Sequence, residues 1–163
     1  CEAGGPGFLP RARRDPPAVL RFSFSFMNKA SDRQVAYALA RIGLGINIAM
    51  HGLARIPRFE GFAAHLHDQF ADTFLPAWFV QLTASGIVTT ETIVGLLIVF
   101  GLWLRPALVA GGVLMWVLLF GACLVQNWGV AGSQLVYVAF FAGLLAWRNH
   151  DWLSLDARRA RRT

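Results

Sequence analysis

Four long apolar blocks, at residues 35–53, 78–104, 107–125 and 134–147, constrain the fold of this chain more than any other feature. Crossing the hydrocarbon of a bilayer takes about 20 helical residues, and the first three blocks reach that length. The fourth reaches it once residues 130–133 extend it. With 163 residues, 56% of them hydrophobic and 15% charged, the chain has too few charges to disperse over a soluble surface. The sequence therefore predicts an all-α integral membrane protein, a four-transmembrane-helix bundle.

The basic residues set its expected orientation. Lys29 and Arg33 precede the first block, Arg105 separates the second from the third, and Arg148, Arg158, Arg159, Arg161 and Arg162 follow the fourth. On the other side Arg55 and Arg58 are diluted by Glu60, Asp68 and Asp72. The positive-inside rule then places both termini in the cytoplasm. The net charge of +6 comes largely from these flanks and reads as orientation signal and attraction to anionic lipid, not nucleic-acid binding. Residues 31–156 are expected to form the membrane domain and 157–163 a basic cytoplasmic tail. Residues 1–30 are rich in Gly, Pro and Arg, and read as disordered or as a mis-assigned extension before Met27. Their RFSFSF stretch is too short and polar for a signal peptide. A rival reading, Cys1 as a lipoprotein cysteine, would place the N-terminus outside, against the charge rule.

Cysteine usage removes several chemistries. Only Cys1 and Cys123 occur, with no C-x-x-C, so neither dithiol exchange nor a cysteine-held iron–sulfur cluster fits this chain. Cys123 lies in an apolar block, where a small buried thiol is the ordinary expectation. Phosphate-loop, dinucleotide-fold and nucleophile-elbow patterns are absent.

Few polar residues remain inside the blocks, and they are the candidate site. A charge in hydrocarbon costs roughly 2.5–3.5 kcal/mol, so it normally has a partner or a function. Asn47, His51 and Arg55 lie at i, i+4 and i+8, one stripe of the first helix, and Arg41, Gly45 and Gly52 form a second stripe beside it. At 1.5 Å per residue, Arg41 lies about 12 Å in from Arg33, Asn47 about 21 Å and His51 about 27 Å. Counting back from Arg105 puts Glu91 about 21 Å in, level with Asn47. One reading of this polar layer is a charge-neutralising Arg41–Glu91 pair that fixes packing. The other is a site for a lipid-soluble redox carrier such as a quinone: His51 offers a hydrogen bond to a carbonyl oxygen, and the Glu91 carboxylate relays protons. Trp103, Trp116 and Trp128 are available as aromatic walls, although anchoring at the membrane interface also accounts for them.

The connection from 56 to 77 carries Phe59, Phe62, Leu66, Phe70 and Phe74 at helical spacing, which predicts an amphipathic helix on the outer surface, roofing the bundle beside His51. His65, Asp68 and Asp72 at i, i+3 and i+7 are more simply solvated than metal-binding, and no metal site is expected. On the fourth block, Tyr137 is expected to make an interhelical or interfacial hydrogen bond.

Three patterns together carry a resemblance. The first helix reads R-x-x-x-G-x-x-x-x-x-H-G-x-x-R from Arg41 to Arg55, and the second E-x-x-x-G-x-x-x-x-x-G-x-x-x-R from Glu91 to Arg105. The tail reads W-L-S-L-D from Trp152 to Asp156. From Arg41 to Asp156 the chain resembles the DoxX/DoxD family of small four-helix membrane proteins; Arg55 stands where that family usually has Lys, which keeps the charge. The resemblance implies membership of a membrane redox system in the cell membrane of a prokaryote. Its best-known relatives form the quinone-reducing part of thiosulfate oxidation. On that reading His51, Glu91 and Arg41 act in the chemistry, Asn47, His51, Arg55 and Arg105 bind the quinone, and membrane lipid and a partner oxidoreductase are the other contacts. Two alternatives stand beside it: a non-catalytic membrane anchor for another oxidoreductase, and a small-solute permease. Faces of small residues also allow a homo-oligomer.

Overall fold

The computed structural model describes residues 30–162, and the expectations for the segment before Ala30 lie outside the described residues. Among the described residues every regular element is helical. Helix α1 (Asp32–Arg55) passes through a 3-10 turn (Ile56–Arg58) into the shorter α2 (Phe59–Phe70). Then come α3 (Ala77–Phe100), α4 (Leu104–Leu124) and α5 (Trp128–Ala146), and a second 3-10 turn (Arg148–His150) leads to α6 (Leu155–Ala160). Helices α3, α4 and α5 are long and apolar enough to cross a membrane. Helix α1 equals α3 in length at 24 residues but carries Asp32, Arg33, Arg41 and Arg55.

The boundaries follow from local chemistry. Pro76, extended at ψ 145°, starts α3, where its missing N–H is no loss. Gly101 stops it in the left-handed region at φ 66°, its N–H donating to Ile98 O while the Leu102 N–H donates to Leu97 O at 2.9 Å. That is a Schellman stop, which places an otherwise costly φ on glycine. Asn127 accepts from the Val130 N–H at 3.2 Å and starts α5, six residues ahead of the apolar block that marked it.

Glycines set the packing of α1 on α3. The buried positions of α1 recur every three to four residues from Tyr37 to Gly52, and those of α3 do so from Val80 to Ile98. A Cβ at Gly52 would lie 2.6 Å from Thr92 N, and one at Gly45 would lie 2.8 Å from Val99 N. One at Gly95 would collide with the backbone of Ala49. The two helices thus touch backbone to backbone and run antiparallel, Gly45 opposite Val99 and Gly52 opposite Thr92. On the second pair, Gly111 of α4 leaves the space that the Phe141 ring of α5 fills, and both residues are buried. Cys123 is exposed on α4, not buried as expected. In an apolar spanning helix, hydropathy does not separate the face turned to lipid from the face turned to protein.

The W-L-S-L-D segment folds back onto the turn between α3 and α4. Ser154 is fully buried against Gly101, the Asp156 N–H donates to Gly101 O at 3.1 Å, and the Asp156 carboxylate accepts from the Leu104 N–H at 2.8 Å. Asp156 therefore supplies, from 52 residues away, the N-terminal acceptor that α4 lacks locally. Asp156→Ala is expected to lower stability by about 1 kcal/mol and to speed proteolysis after residue 150; an unchanged melting temperature and digestion pattern would contradict this capping role.

Candidate functional site

Four of the sequence-chosen residues meet at one cavity. It has a volume of about 540 Å³, and Asn47, His51 and Arg55 line it from α1 and Glu91 from α3. Helix α2 adds Phe62, His65 and Phe70, and α5 adds Gln134 and Tyr137. The one-face stripe read from the spacing of Asn47, His51 and Arg55 is thus present.

Glu91 is 2% exposed, and its partner is Arg55, which donates to Oε2 from Nη1. The Arg55 guanidinium, half-buried, also stacks 4.7 Å from the centre of the Phe62 ring, so one cation is shared between a carboxylate and an aromatic face. A buried carboxylate needs such a partner, and losing it would leave a desolvated charge. His51 Nδ1 lies 2.9 Å from the Asn47 carbonyl oxygen. A carbonyl only accepts, so Nδ1 carries the proton of that bond and Nε2 is left for a ligand. The Asn47 side chain accepts from Tyr137 OH at 3.0 Å, which is the interhelical bond expected of that tyrosine and ties α1 to α5. Gln134 Oε1 is buried beside the cavity with no hydrogen-bond partner. Spacing alone did not single it out, because Gln134 stands alone at the start of the fourth apolar block.

Arg41 is elsewhere. It is 1% exposed at the other end of α1, donating from Nη1 to Ile98 O at 2.5 Å and Val99 O at 2.9 Å, with Asp151 at 3.9 Å from Nε. It serves the last carbonyls of α3, where a cation also meets the negative end of the helix dipole. The expected single layer of Arg41, Glu91 and His51 is therefore two centres, and Arg41 does not pair with Glu91. The depth count treated the stretch from Arg105 back to Glu91 as one helix, whereas α3 ends at Phe100 and Arg105 lies beyond the turn, exposed in the first turn of α4. Neither Arg41 nor Arg105 lines the cavity. Trp103, Trp116 and Trp128 are each more than 60% exposed and none lines this cavity, where Phe62 and Phe70 supply the phenyl rings. Among the described residues, no three His, Cys, Asp or Glu side chains gather as a group that could hold a metal ion.

An apolar groove adjoins the cavity. It is lined by Phe74, Phe79, Trp116 and Phe120, and it shares Leu66, Phe70, Thr83, Val117 and Gly121 with the cavity. Phe70 marks the junction: a Cβ at Gly121 would lie only 3.2 Å from its ring tip. The site thus joins a polar chamber to an apolar slot.

A family model described as DoxX matches residues 36–127, more than half of the chain. No curated protein and no solved structure matches it.

Proposed function

This chain belongs to the DoxX family, and from that premise we propose that it is a four-span membrane redox subunit holding a quinone in the cavity beside Glu91. Helix α1 is the fourth span. Its internal cations are both answered, Arg41 by the α3 carbonyls and Asp151, Arg55 by Glu91, so no bare charge meets hydrocarbon. Helix α2 lies on the outer surface as an amphipathic cover, with Ala63, Phe62 and Leu66 turned inward and Glu60, His67 and Asp68 exposed. Arg33, Arg105, Arg148 and the arginines of the tail lie toward the other end, which supports a cytoplasmic position for that end of the bundle.

The observation that carries the reading is the pairing of buried Glu91 with half-buried Arg55 on the wall of a cavity that continues into an apolar groove. A quinone has that shape and polarity, with a head bearing two carbonyls and a long apolar tail. When bound it supplies two-electron, two-proton carrier chemistry. Arg55 and the open Nε2 of His51 would hold the head, and the groove past Phe70 would take the tail. His51 donates from Nε2 to a carbonyl oxygen when protonated, and as the neutral ring it accepts from a hydroxyl. Glu91 is the carboxylate at the same wall through which protons are passed on. Gln134 Oε1, buried and unpartnered, offers a further acceptor.

In the chain purified in mild detergent, near-stoichiometric quinone is expected, with at least about tenfold less in His51→Ala and in Glu91→Gln, or about 1.4 kcal/mol of binding free energy. Traces in all three, or equal amounts in all three, would overturn the site. Traces together with a soluble oxidoreductase retained on the column would favour the anchor role.

A further inference from the structure

We propose a second binding site, for an anionic glycerophospholipid, in the cleft between the N-terminal half of α1 and the C-terminal half of α5. The two helices are tied by the Tyr137–Asn47 hydrogen bond, and beyond it, between the N-terminal half of α1 and the C-terminal half of α5, lies a cleft of about 790 Å³. The reason for the open space is in the sequence. The facing positions Ala36 and Ala40 on α1, and Ala139 and Gly143 on α5, carry at most one side-chain carbon, so no knob fills the space. Phe140 and Leu144 form the walls. In a bilayer such a slot takes an acyl chain, since lipid tails are as apolar as leucine.

The mouth of the cleft supplies the headgroup chemistry. Arg33 lies one turn before Tyr37 on the same face, and both line the cleft with Trp147 and His150. Tyr37 is 5% exposed, and its hydroxyl has no hydrogen-bond partner among the described residues. A buried phenol in that state calls for an acceptor, which a phosphate or ester oxygen provides. The carboxylate near it, Asp151, faces Arg41 Nε at 3.9 Å without a hydrogen bond, and Arg33 lines the mouth beside His150 as a cation that an anionic head can meet. A basic pocket between spanning helices on the cytoplasmic side is the usual setting for an anionic lipid head. Trp147, 63% exposed, sits where an interfacial anchor would. This site lies apart from the chamber of Glu91 and shares no lining residue with it.

The test is native mass spectrometry of the full chain exchanged into detergent with equal phosphatidylglycerol and phosphatidylcholine of matched acyl chains. The parent is expected to retain phosphatidylglycerol about tenfold over phosphatidylcholine. Arg33→Gln should remove the preference, Tyr37→Phe should weaken retention of both lipids, and Gly143→Phe should abolish it. Should Gly143→Phe not fold, Ala139→Leu fills the same slot and is expected to act likewise. Equal retention of the two lipids by the parent overturns the proposal, as does retention unchanged in the filled variant. Finding quinone, or a second copy of the chain, in the cleft in place of phospholipid overturns it too.

Discussion

Arg55→Leu is expected to destabilise the folded chain by about 3–5 kcal/mol, more than any other single change in the cavity wall. The substitution removes the guanidinium and strands Glu91, which is 2% exposed and has no other hydrogen-bonding partner of opposite charge among the described residues. Glu91→Leu should be milder. It leaves Arg55 unpaired, but Arg55 is 30% exposed and rests on the Phe62 ring, so its head can turn to water and keep an aromatic contact. The double variant Arg55→Leu/Glu91→Leu should recover most of the loss, because an apolar pair of similar volume replaces a buried ion pair at little net cost. Denaturant titration in mixed micelles measures all three. Equal destabilisation by the two single variants, or losses that simply add in the double, would show that the pair does not carry the charge balance described here.

Gly95→Leu is expected to be the other large effect, a loss of more than about 3 kcal/mol that abolishes monodisperse folded protein. Overpacking is mild when a flexible side chain can move aside. At Gly95 the atoms in the way are the backbone and Cβ of Ala49, so α1 and α3 must separate along their length. The control lies one face away: nothing approaches within 4 Å of a Cβ at Gly86, and Gly86→Leu should leave the chain as stable as before. Size-exclusion profiles and thermal melts of the two variants separate the cases, and matching behaviour would refute the backbone contact.

Much of the molecule could be read from its residues, and the parts that could not share a cause. Apolar blocks mark helices because spanning segments need length and hydropathy, and α3, α4 and α5 fall where those blocks lie. The stripe of Asn47, His51 and Arg55 was legible because helical spacing fixes a face. Register between helices was not. It is set by where small residues allow backbones to touch, at Gly45, Gly52 and Gly95, and spacing within one helix says nothing about its neighbour. That is why Glu91 was placed level with Asn47, roughly six residues or about 9 Å from the position opposite the Gly52–Arg55 turn that it occupies. Contacts between distant segments were equally hidden. Ser154 and Asp156 looked like a tail motif, and only the fold shows that they cap α4 and fill the space over Gly101. Arg41, a charge inside an apolar block, drew attention as chemistry, whereas its geometry is that of a helix C-terminal cap.

The central claim, a quinone held between α1, α2 and α3, is tested most directly by labelling the membrane-embedded chain with an azido-quinone and mapping the modified peptides. Labels are expected on residues 47–55, 62–70 and 83–91, lost in His51→Ala and displaced by unlabelled quinone in excess. Labels confined to the cleft formed by residues 33–40 and 136–147, or none that excess quinone displaces, would contradict it.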